Sequence, residues 1–438
     1  MEKEKYTRPS EELGRVELGD KRLTERLEKS TAERMQGVAQ GRSSAKGFYR
    51  LLGNEKFDSE KLHEAAIEAT IERMRGMSKV LVVQDWTDIN LSGHKKTKGL
   101  GYSSNKTKGI KTHSCLAIST EGVPLGILCQ KYDTRAEAKN CISESGKKAR
   151  PTEEKESYRW IETFLETKER IPANIEAITV CDREGDIFEL YEQVQALKSD
   201  FVIRVSYDRK TETTDKVLAR IRKAPVLGYG TIDVPRDTER NRKARKAQVV
   251  VSSCSVRISK KKNSLSLNLV RIFERGQTEE PIEWILATSL LINTSEDAMT
   301  VVQYYTQRWK IERFHYVLKS GCKVEEIQQR SYERILPVVF ICSMIANFIL
   351  AMTYLGQTLP DISCELFLEE DEWKLLHRFA MRSKIPPDKP YSLAKTIELL
   401  GKLGVGSRAP SDGHYGVKAI WTGLKIFYSS FDILMGQV

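Results

Sequence analysis

The feature of this chain that most constrains its fold is a pair of short apolar runs that each end on an aspartate. The runs are Lys79–Asp85 and Ala177–Asp182, and both are rich in aliphatic and β-branched residues. Short apolar runs of this kind are typical of strands buried in the middle of a sheet. If the two strands lie side by side, Asp85 and Asp182 meet at one edge of that sheet.

The elements around these two runs predict the class of the fold. Further strands are predicted over 112–119, 123–130 and 200–205, and amphipathic helices over 153–170 and 186–198. Residues 206–282 are basic and carry alternating β-branched runs, which predicts an inserted β subdomain. The order of strands and helices favours an α/β architecture, in which helices cover a mixed sheet.

We expect three regions along the chain. Residues 1–75 are predicted to be a helical DNA-binding module with basic faces, and residues 76–330 a catalytic domain that includes the insertion. A strand over 283–289 leads into one strong predicted helix from about Ser295 to Gly321. Residues 331–438 are predicted to form a core helix and a helical C-terminal region in which a dimer interface is expected.

Charge and cysteine usage narrow the class of protein. The formal net charge of +11 points to an anionic partner, either nucleic acid or a membrane surface. None of the 8 cysteines lies in a C-x-x-C pair, so we expect reduced thiols and a cytosolic protein. The polar N-terminus has no apolar core typical of a secretory signal.

One segment allows a membrane interpretation. No charged residue lies between Arg334 and Asp361, and the stretch from Ile335 to Leu355 is long enough to span a bilayer. The alternative is a fully buried helix at the centre of a domain. Because Pro337 and several polar residues dilute the apolar stretch, we favour the buried helix and expect no membrane partner.

A third acid completes a candidate metal site. Glu312 lies on the predicted helix after the insertion, which could bring it across to Asp85 and Asp182. Three converging carboxylates are the hard oxygen ligands that Mg²⁺ or Mn²⁺ requires, and two such ions can assist in-line phosphodiester displacement. Each acid by itself has a simpler explanation, because an Asp after a strand often caps a turn and a helical Glu is often a surface charge.

The helix around Glu312 carries further polar groups at helical spacing. Tyr305, Arg308, Glu312 and Lys319 project within an arc of roughly 60° if the helix is continuous. Arg308 and Lys319 on that face can hold phosphates. A salt-bridged surface stripe is the alternative.

These residues carry a resemblance to a known family. The segment Tyr305-Thr-Gln-Arg308-Trp-Lys-Ile-Glu312-Arg-Phe-His-Tyr-Val-Leu-Lys319 fits the Y-x₂-R-x₃-E-x₆-K signature of bacterial insertion-sequence transposases of the IS-four family. The chain looks most similar to the Tn-five-like branch. The residues around Asp85 and Asp182 resemble that family's first-Asp and second-Asp motifs, and the likeness covers most of the chain.

The resemblance implies a ribonuclease H-like fold with catalytic, metal-binding Asp85, Asp182 and Glu312 and two Mg²⁺ or Mn²⁺ ions. It implies that Tyr305, Arg308 and Lys319 grip phosphates near the cleaved end of the DNA. Trp284 matches the family's tryptophan that stacks on a flipped base, although a core aromatic is the alternative. Arg204 matches an arginine near the scissile position.

Other DNA contacts are predicted outside the signature. A loop rich in glycine and free of acids follows the first strand, and we expect it to be mobile and to contact DNA phosphates. Its candidate residues are Lys95, Lys96, Lys106, Lys108 and Lys111. Arg50 is a candidate for recognition of the DNA end. Glu184 and Asp186 are secondary candidates for a metal ligand or for a helix cap.

The resemblance therefore implies a cut-and-paste transposase that binds transposon ends, cleaves them through a hairpin and joins them to target DNA. Double-stranded DNA and a second copy of the chain in a synaptic dimer are the expected partners, and the bacterial cytoplasm, at the nucleoid, is the expected location. Two alternatives remain open at this point. They are a non-catalytic DNA-binding regulator derived from a transposase, and another ribonuclease H-like nuclease.

Overall fold

The structure, a computed structural model, describes residues 59–104, 106–135, 156–213, 215–234, 244–276, 281–383, 385–406 and 415–435. Arg50 and most of the predicted module 1–75 lie outside these residues. The chain divides into two compact units. The first unit comprises Met1–Gly76, Trp86–Cys141 and Glu312–Val438, and the second comprises Met77–Asp85 and Ile142–Ile311.

The described residues contain strands and helices in mixed order. The strands are β1 (Lys79–Asn90), β2 (Gly109–Ser119), β3 (Pro124–Asp133), β4 (Glu176–Cys181), β5 (Asp200–Arg204), β6 (Val226–Val234), β7 (Arg245–Lys260), β8 (Asn263–Glu274) and β9 (Glu283–Thr288). The helices are α1 (Ser59–Met74), α2 (Tyr158–Arg170), α3 (Phe188–Ala196), α4 (Val217–Arg222), α5 (Ser295–Thr306), α6 (Trp309–Tyr316), α7 (Tyr332–Thr358), α8 (Glu370–Met381), α9 (Leu393–Val405) and α10 (Val417–Met435). The predicted α/β class, a mixed sheet with flanking helices, is confirmed.

The strands form a single sheet in the order β3-β2-β1-β4-β5-β9-β8-β7-β6. Strands β1, β4 and β5 run parallel, and β9 reverses the direction by pairing antiparallel with β5. Strands within 206–282 are present as predicted. They extend the same sheet through the β8–β9 pairing instead of forming a sheet of their own, so a separate inserted subdomain is not resolved.

Strand β1 is longer than the sequence predicts. We expected it to end at Asp85, but it continues to Asn90. Its parallel pairing with β4 extends only from Lys79↔Glu176 to Val83↔Val180. Asp85 therefore lies inside a strand, two residues beyond the point where the pairing with β4 stops, whereas Asp182 directly follows β4 as predicted.

The single helix predicted from Ser295 to Gly321 is wrong, because the helix is interrupted. α5 ends at Thr306, α6 begins at Trp309, and the turn Val317–Gly321 is π-helical. At the break, the backbone N–H of Arg308 donates to the carbonyl of Tyr305 at 3.0 Å, a contact three residues back that tightens the turn. A change from 3.6 to 3 residues per turn rotates later side chains, so the roughly 60° arc expected for an unbroken helix no longer applies.

The uncharged segment of the sequence forms α7 in the first unit. By its length and composition alone, α7 is long and apolar enough to cross a membrane. In the structure, however, 94% of its most apolar window is buried. Its Ser343 accepts a hydrogen bond from Gln130 of β3 at 3.0 Å. Burial on all sides is what a central core helix requires, which supports the buried interpretation.

The helices that follow α7 pack closely because two of them present glycines to each other. A Cβ on Gly404 of α9 would lie 2.0 Å from the carbonyl oxygen of Ala419, and one on Gly423 of α10 would lie 1.8 Å from that of Leu400. Any larger residue at these positions would push α9 and α10 apart. The helical C-terminal region predicted from the sequence is present in the described residues, and its proposed role in dimerisation stays a prediction.

Helix α1 packs in the core of the first unit, although it lies within the N-terminal segment predicted to be a DNA-binding module. The side chain of Thr70 donates a hydrogen bond to the carbonyl of Ile127 in β3 at 3.2 Å, and the Arg73 side chain bonds the carbonyl of Leu125. Residues 59–74 therefore pack on the β2–β3 hairpin of the first unit, whereas the prediction placed them in a separate DNA-binding module.

Candidate active site

Asp85 lies in β1, and Asp182 directly follows the adjacent parallel strand β4. Continuing the β1–β4 register by two residues sets Asp85 beside Asp182. Burial raises the pKa of the Cys181 thiol well above its usual value, and the negative charges of Asp182 and Asp85 raise it further. Both carboxylates are therefore near this thiol, at the same edge of the sheet.

Asp182 also shapes the turn that follows it. Its carboxylate accepts a hydrogen bond from the backbone N–H of Glu184 at 2.8 Å and so caps the short 3₁₀ helix Arg183–Gly185. Asp182 thus has the capping role that is the simple explanation for an aspartate after a strand. It uses one carboxylate oxygen, and the side chain is only half-buried, so a cation can still reach the group.

Arg308 links the aspartates to the helical signature. Its Nη1 lies 3.8 Å from Oδ2 of Asp85, and only 10% of its side chain is exposed. Arg308 is positioned by the break between α5 and α6, whose tightened turn directs it toward the sheet. A positive charge at this depth favours an anion next to Asp85.

Tyr305 joins the same cluster from the last turn of α5. Its ring lies 5.8 Å from the guanidinium of Arg308, and its phenol interacts electrostatically with the side chain of Arg204. Burial raises the pKa of Tyr305, and the opposing effects of Arg308 and Arg204 do not cancel that rise. The phenol therefore stays protonated at neutral pH.

Arg204 ends β5 and lies among other cations. Burial lowers the pKa of its guanidinium, and the neighbouring charges of Arg183 and Arg308 lower it further, whereas Tyr305 raises it. Its side chain also donates to the carbonyl of Glu283 at 3.3 Å. The site thus concentrates guanidinium groups beside two carboxylates, a distribution that suits an anionic substrate.

Trp284 is placed in the core of this cluster. Its ring meets that of Tyr305 edge to face, with centroids 5.1 Å apart, and only 8% of the residue is exposed. Trp284 is therefore a buried core aromatic, which was the alternative to a base-stacking residue. A base could stack on the ring only after the surrounding side chains move.

The remaining residues of the signature belong to the first unit. Glu312 lies in the first turn of α6 and Lys319 in the π-helical turn, and both side chains are half-buried. Among the residues that the structure describes, no group of three or more His, Cys, Asp or Glu side chains is placed to hold a metal ion. The second unit thus supplies two of the three predicted ligands.

Asp186, a secondary candidate for metal binding, has a structural role. It is fully buried and bonded to Arg209, and its Oδ2 accepts backbone N–H groups of Ser206 and Tyr207 at 2.6 and 2.8 Å. The hydroxyl of Tyr191 donates to its Oδ1 at 2.6 Å. These partners occupy both oxygens. Glu184, the other candidate, lies 3.6 Å from Arg159.

The lysine-rich loop in the first unit is anchored, although its glycines suggested mobility. His94 hydrogen-bonds the carbonyl of Glu325 at 2.8 Å, and the Thr97 hydroxyl donates to the carbonyl of Gln329 at 2.6 Å. The lysines on this loop are exposed, and Lys111 on β2 lies over the ring of Trp86 at 4.4 Å. The exposed ones are Lys95, Lys96, Lys98, Lys106 and Lys108. The loop therefore presents its charges on a fixed backbone.

Two arginines escaped the sequence analysis as site residues. Arg183 and Arg222 line a cavity in the second unit together with Arg204. Arg183 could have been found, because it directly follows Asp182. Arg222 lies in a basic segment in which no spacing distinguishes it from its neighbours Arg220 and Lys223.

Comparison with known proteins gives two findings. The solved structure described as a cryo-EM structure of a piggyBac transposase synaptic complex with hairpin DNA matches with a TM-score of 0.35 and 13% sequence identity, over 81% of this chain and 66% of that one. The chain thus spans just under two thirds of the length of that relative. Residues 161–348, which include Asp182, Trp284, Arg308 and Glu312, match the family model of the transposase DDE domain. The match covers less than half of the chain and shows that residues 161–348 resemble a transposase DDE domain.

Proposed function

We propose that this chain is a cut-and-paste DNA transposase of the IS-four family, in its Tn-five-like branch. The observation that supports the proposal best is the cluster in the second unit, where Asp85 contacts Arg308 and Arg308 contacts Tyr305. Asp182 directly follows the neighbouring strand β4. Carboxylates for a cation and guanidinium groups for a phosphate are both needed for phosphodiester chemistry.

Asp85, Asp182 and Glu312 would hold Mg²⁺ or Mn²⁺, with two ions per active site. The donor set fits, because these are hard oxygen ligands and their side chains are only half-buried. When bound, such ions stabilise the attacking and leaving oxygens of an in-line displacement. DDE transposases generally use divalent ions, which agrees with this assignment.

The residues of the chain have distinct tasks in this proposal. Arg308 holds the phosphate at the cleaved end as a two-pronged donor, and Lys319 adds a point charge. Tyr305, kept protonated by burial, grips the same phosphate region beside Arg308. Four phosphoryl transfers then use one site: hydrolysis at the 3′ end, attack of the 3′-OH on the opposite strand to form a hairpin, hydrolysis of the hairpin, and joining to target DNA.

Partners and location follow from this chemistry. Two element ends must be held at once, so the chain acts as a homodimer on double-stranded DNA, in the bacterial cytoplasm at the nucleoid. The exposed lysines of the loop after β1 contact the phosphate backbone. Arg50 contributes to recognition of the element end.

A cleavage assay tests the proposal. The purified chain is incubated with Mg²⁺ and a labelled duplex that carries the terminal sequence of its own element, beside Glu312→Gln. Hairpin and flush-cut products from the wild type alone, with binding retained in the variant, support the proposal. Binding without cleavage in Mg²⁺ or Mn²⁺ favours the regulator, and cleavage without strand transfer favours another ribonuclease H-like nuclease.

A further inference from the structure

A cavity of about 260 Å³ opens in the second unit beside the candidate active site. Arg183, Arg204 and Arg222 contribute guanidinium groups to its lining, and Glu283 contributes the carboxylate. Val205 and Ile285 give it apolar walls. The cavity therefore combines cationic and apolar surfaces in a space below the roughly 300–1,000 Å³ of pockets for drug-sized ligands.

The carboxylate in the cavity is already engaged by arginines. Glu283 accepts a hydrogen bond from Arg271 at 2.8 Å and lies 3.4 Å from Arg222. Burial would raise its pKa, but the hydrogen bonds and charges of Arg271 and Arg222 outweigh burial and lower it. Glu283 is therefore ionised, and it can balance only part of the positive charge around the cavity.

The other two arginines of the cavity are Arg183 and Arg204. Within the described residues, neither Arg183 nor Arg204 forms an ion pair with a carboxylate. Arg204 is held by Tyr305 and by the carbonyl of Glu283, and the charge of Arg183 acts against its own. Cations crowded in this way are stabilised by an anion placed between them.

We propose that this cavity binds one phosphodiester of a DNA strand next to the reacting phosphate, with the adjoining sugar against Val205 and Ile285. The inference rests on the proposed function and adds Arg183 and Arg222 to the DNA-binding residues. A phosphodiester matches the guanidinium groups in charge and geometry. Arg204 connects the cavity to the reacting centre, because it lines the cavity and interacts with the phenol of Tyr305.

Arg222→Gln tests this proposal, with Arg220→Gln as the matched control on the same helix. Arg220 is exposed and does not line the cavity. Binding of the fluorescent element-end duplex is measured by anisotropy over a range of salt concentrations in EDTA, where no cleavage occurs. We expect Arg222→Gln to raise Kd roughly ten-fold. We also expect the slope of log affinity against log salt to fall by about one, whereas Arg220→Gln behaves as the wild type and Arg222→Lys recovers the slope.

Other outcomes overturn the proposal. If Arg222→Gln and Arg220→Gln leave equal salt slopes, the cavity holds no DNA phosphate. If inorganic phosphate at constant ionic strength raises the melting temperature of the wild type but not of Arg222→Gln, and the slopes are equal, the cavity binds a free anion instead. Cleavage by the wild type in Mg²⁺ is measured in parallel, so failure of the cavity is distinguishable from failure of the proposed function.

Discussion

Nη1 of Arg308 lies 3.8 Å from Oδ2 of Asp85, so a predicted phosphate-binding arginine and a predicted metal-binding aspartate are electrostatically coupled. The two residues are far apart in the sequence and come from a helix break and a central strand. The pair neutralises both charges when no substrate is bound. When a cation and a phosphate bind together, the cation would pair with Asp85 and the phosphate with Arg308.

This coupling predicts opposite effects of Arg308→Gln on metal binding and on cleavage. Removal of the neighbouring positive charge should tighten Mn²⁺ binding by about three- to ten-fold, the range left after solvent screening. The rate of end cleavage should fall by about 10²–10³, because a phosphate-stabilising donor is lost. Calorimetric titration with Mn²⁺ and single-turnover cleavage measure the two effects. The exposed Arg313→Gln is the control, and unchanged Mn²⁺ affinity would contradict the coupling.

Tyr305→Phe tests the interaction of the Tyr305 hydroxyl with Arg204. Loss of this buried polar interaction should lower the free energy of unfolding by about 1 kcal/mol, measured by urea denaturation. Burial raises the pKa of this phenol, so wild type and variant should show the same cleavage profile up to about pH 9.5. A loss of cleavage near pH 9 that occurs only in the wild type would show that the phenol ionises earlier.

Trp284 should act mainly through packing. Trp284→Ala should lower the free energy of unfolding by about 3–5 kcal/mol, because the ring is 8% exposed and packs on Tyr305. Trp284→Phe keeps an aromatic ring and should cost less than about 1.5 kcal/mol. Urea denaturation without DNA measures both. If Trp284→Ala is as stable as the wild type, Trp284 contributes to base stacking and not to packing.

His315 should make stability fall in mild acid. Burial lowers the pKa of this histidine from 6.5 to about 3, and the charge of Lys319 acts in the same direction. The unfolded chain takes up the proton near pH 6.5, so the stabilisation is complete above that pH and is lost as the pH falls toward 3. Between pH 7.5 and 5.5 this group should cost about 1.4 kcal/mol. His315→Met should show a correspondingly smaller change in urea denaturation, and an identical change in both proteins would contradict the assignment.

The loop lysines should contribute to affinity without affecting the chemistry. Lys95→Gln combined with Lys96→Gln should reduce the salt slope of duplex binding by up to about two, since each phosphate contact contributes close to one. The pair Lys261→Gln and Lys262→Gln is a matched control, because these exposed lysines lie between β7 and β8. Equal slopes for the two double variants would mean that only overall charge matters.

Much of the site could be predicted from the chain because its parts have local patterns. Apolar runs placed Lys79–Val83 and Ala177–Cys181 in strands, and burial of those strands leaves Asp85 and Asp182 where their pairing ends. The spacing of Tyr305, Arg308 and Glu312 indicated a functional helix. Local patterns do not show where a helix changes its pitch, so the break at Arg308 was missed.

The long uncharged segment shows that composition does not distinguish two kinds of apolar helix. Composition alone allows both a membrane span and a core helix for α7, because both require apolar residues on every side. The structure favours the core helix, since 94% of its most apolar window is covered by other parts of the protein. The cavity was also out of reach of sequence patterns, because Arg183, Arg204 and Arg222 come from three separate segments.

The sequence by itself determined the α/β class, the two buried strands that carry or precede the aspartates, and the basic character of the chain, because periodicity and charge are local properties. The tertiary structure decided which residues touch. It placed Arg308 against Asp85, buried Trp284 beside Tyr305, and used Asp186 to hold Arg209 instead of a metal. These contacts depend on strand order and on the angle of a helix break, which arise only when distant segments pack together.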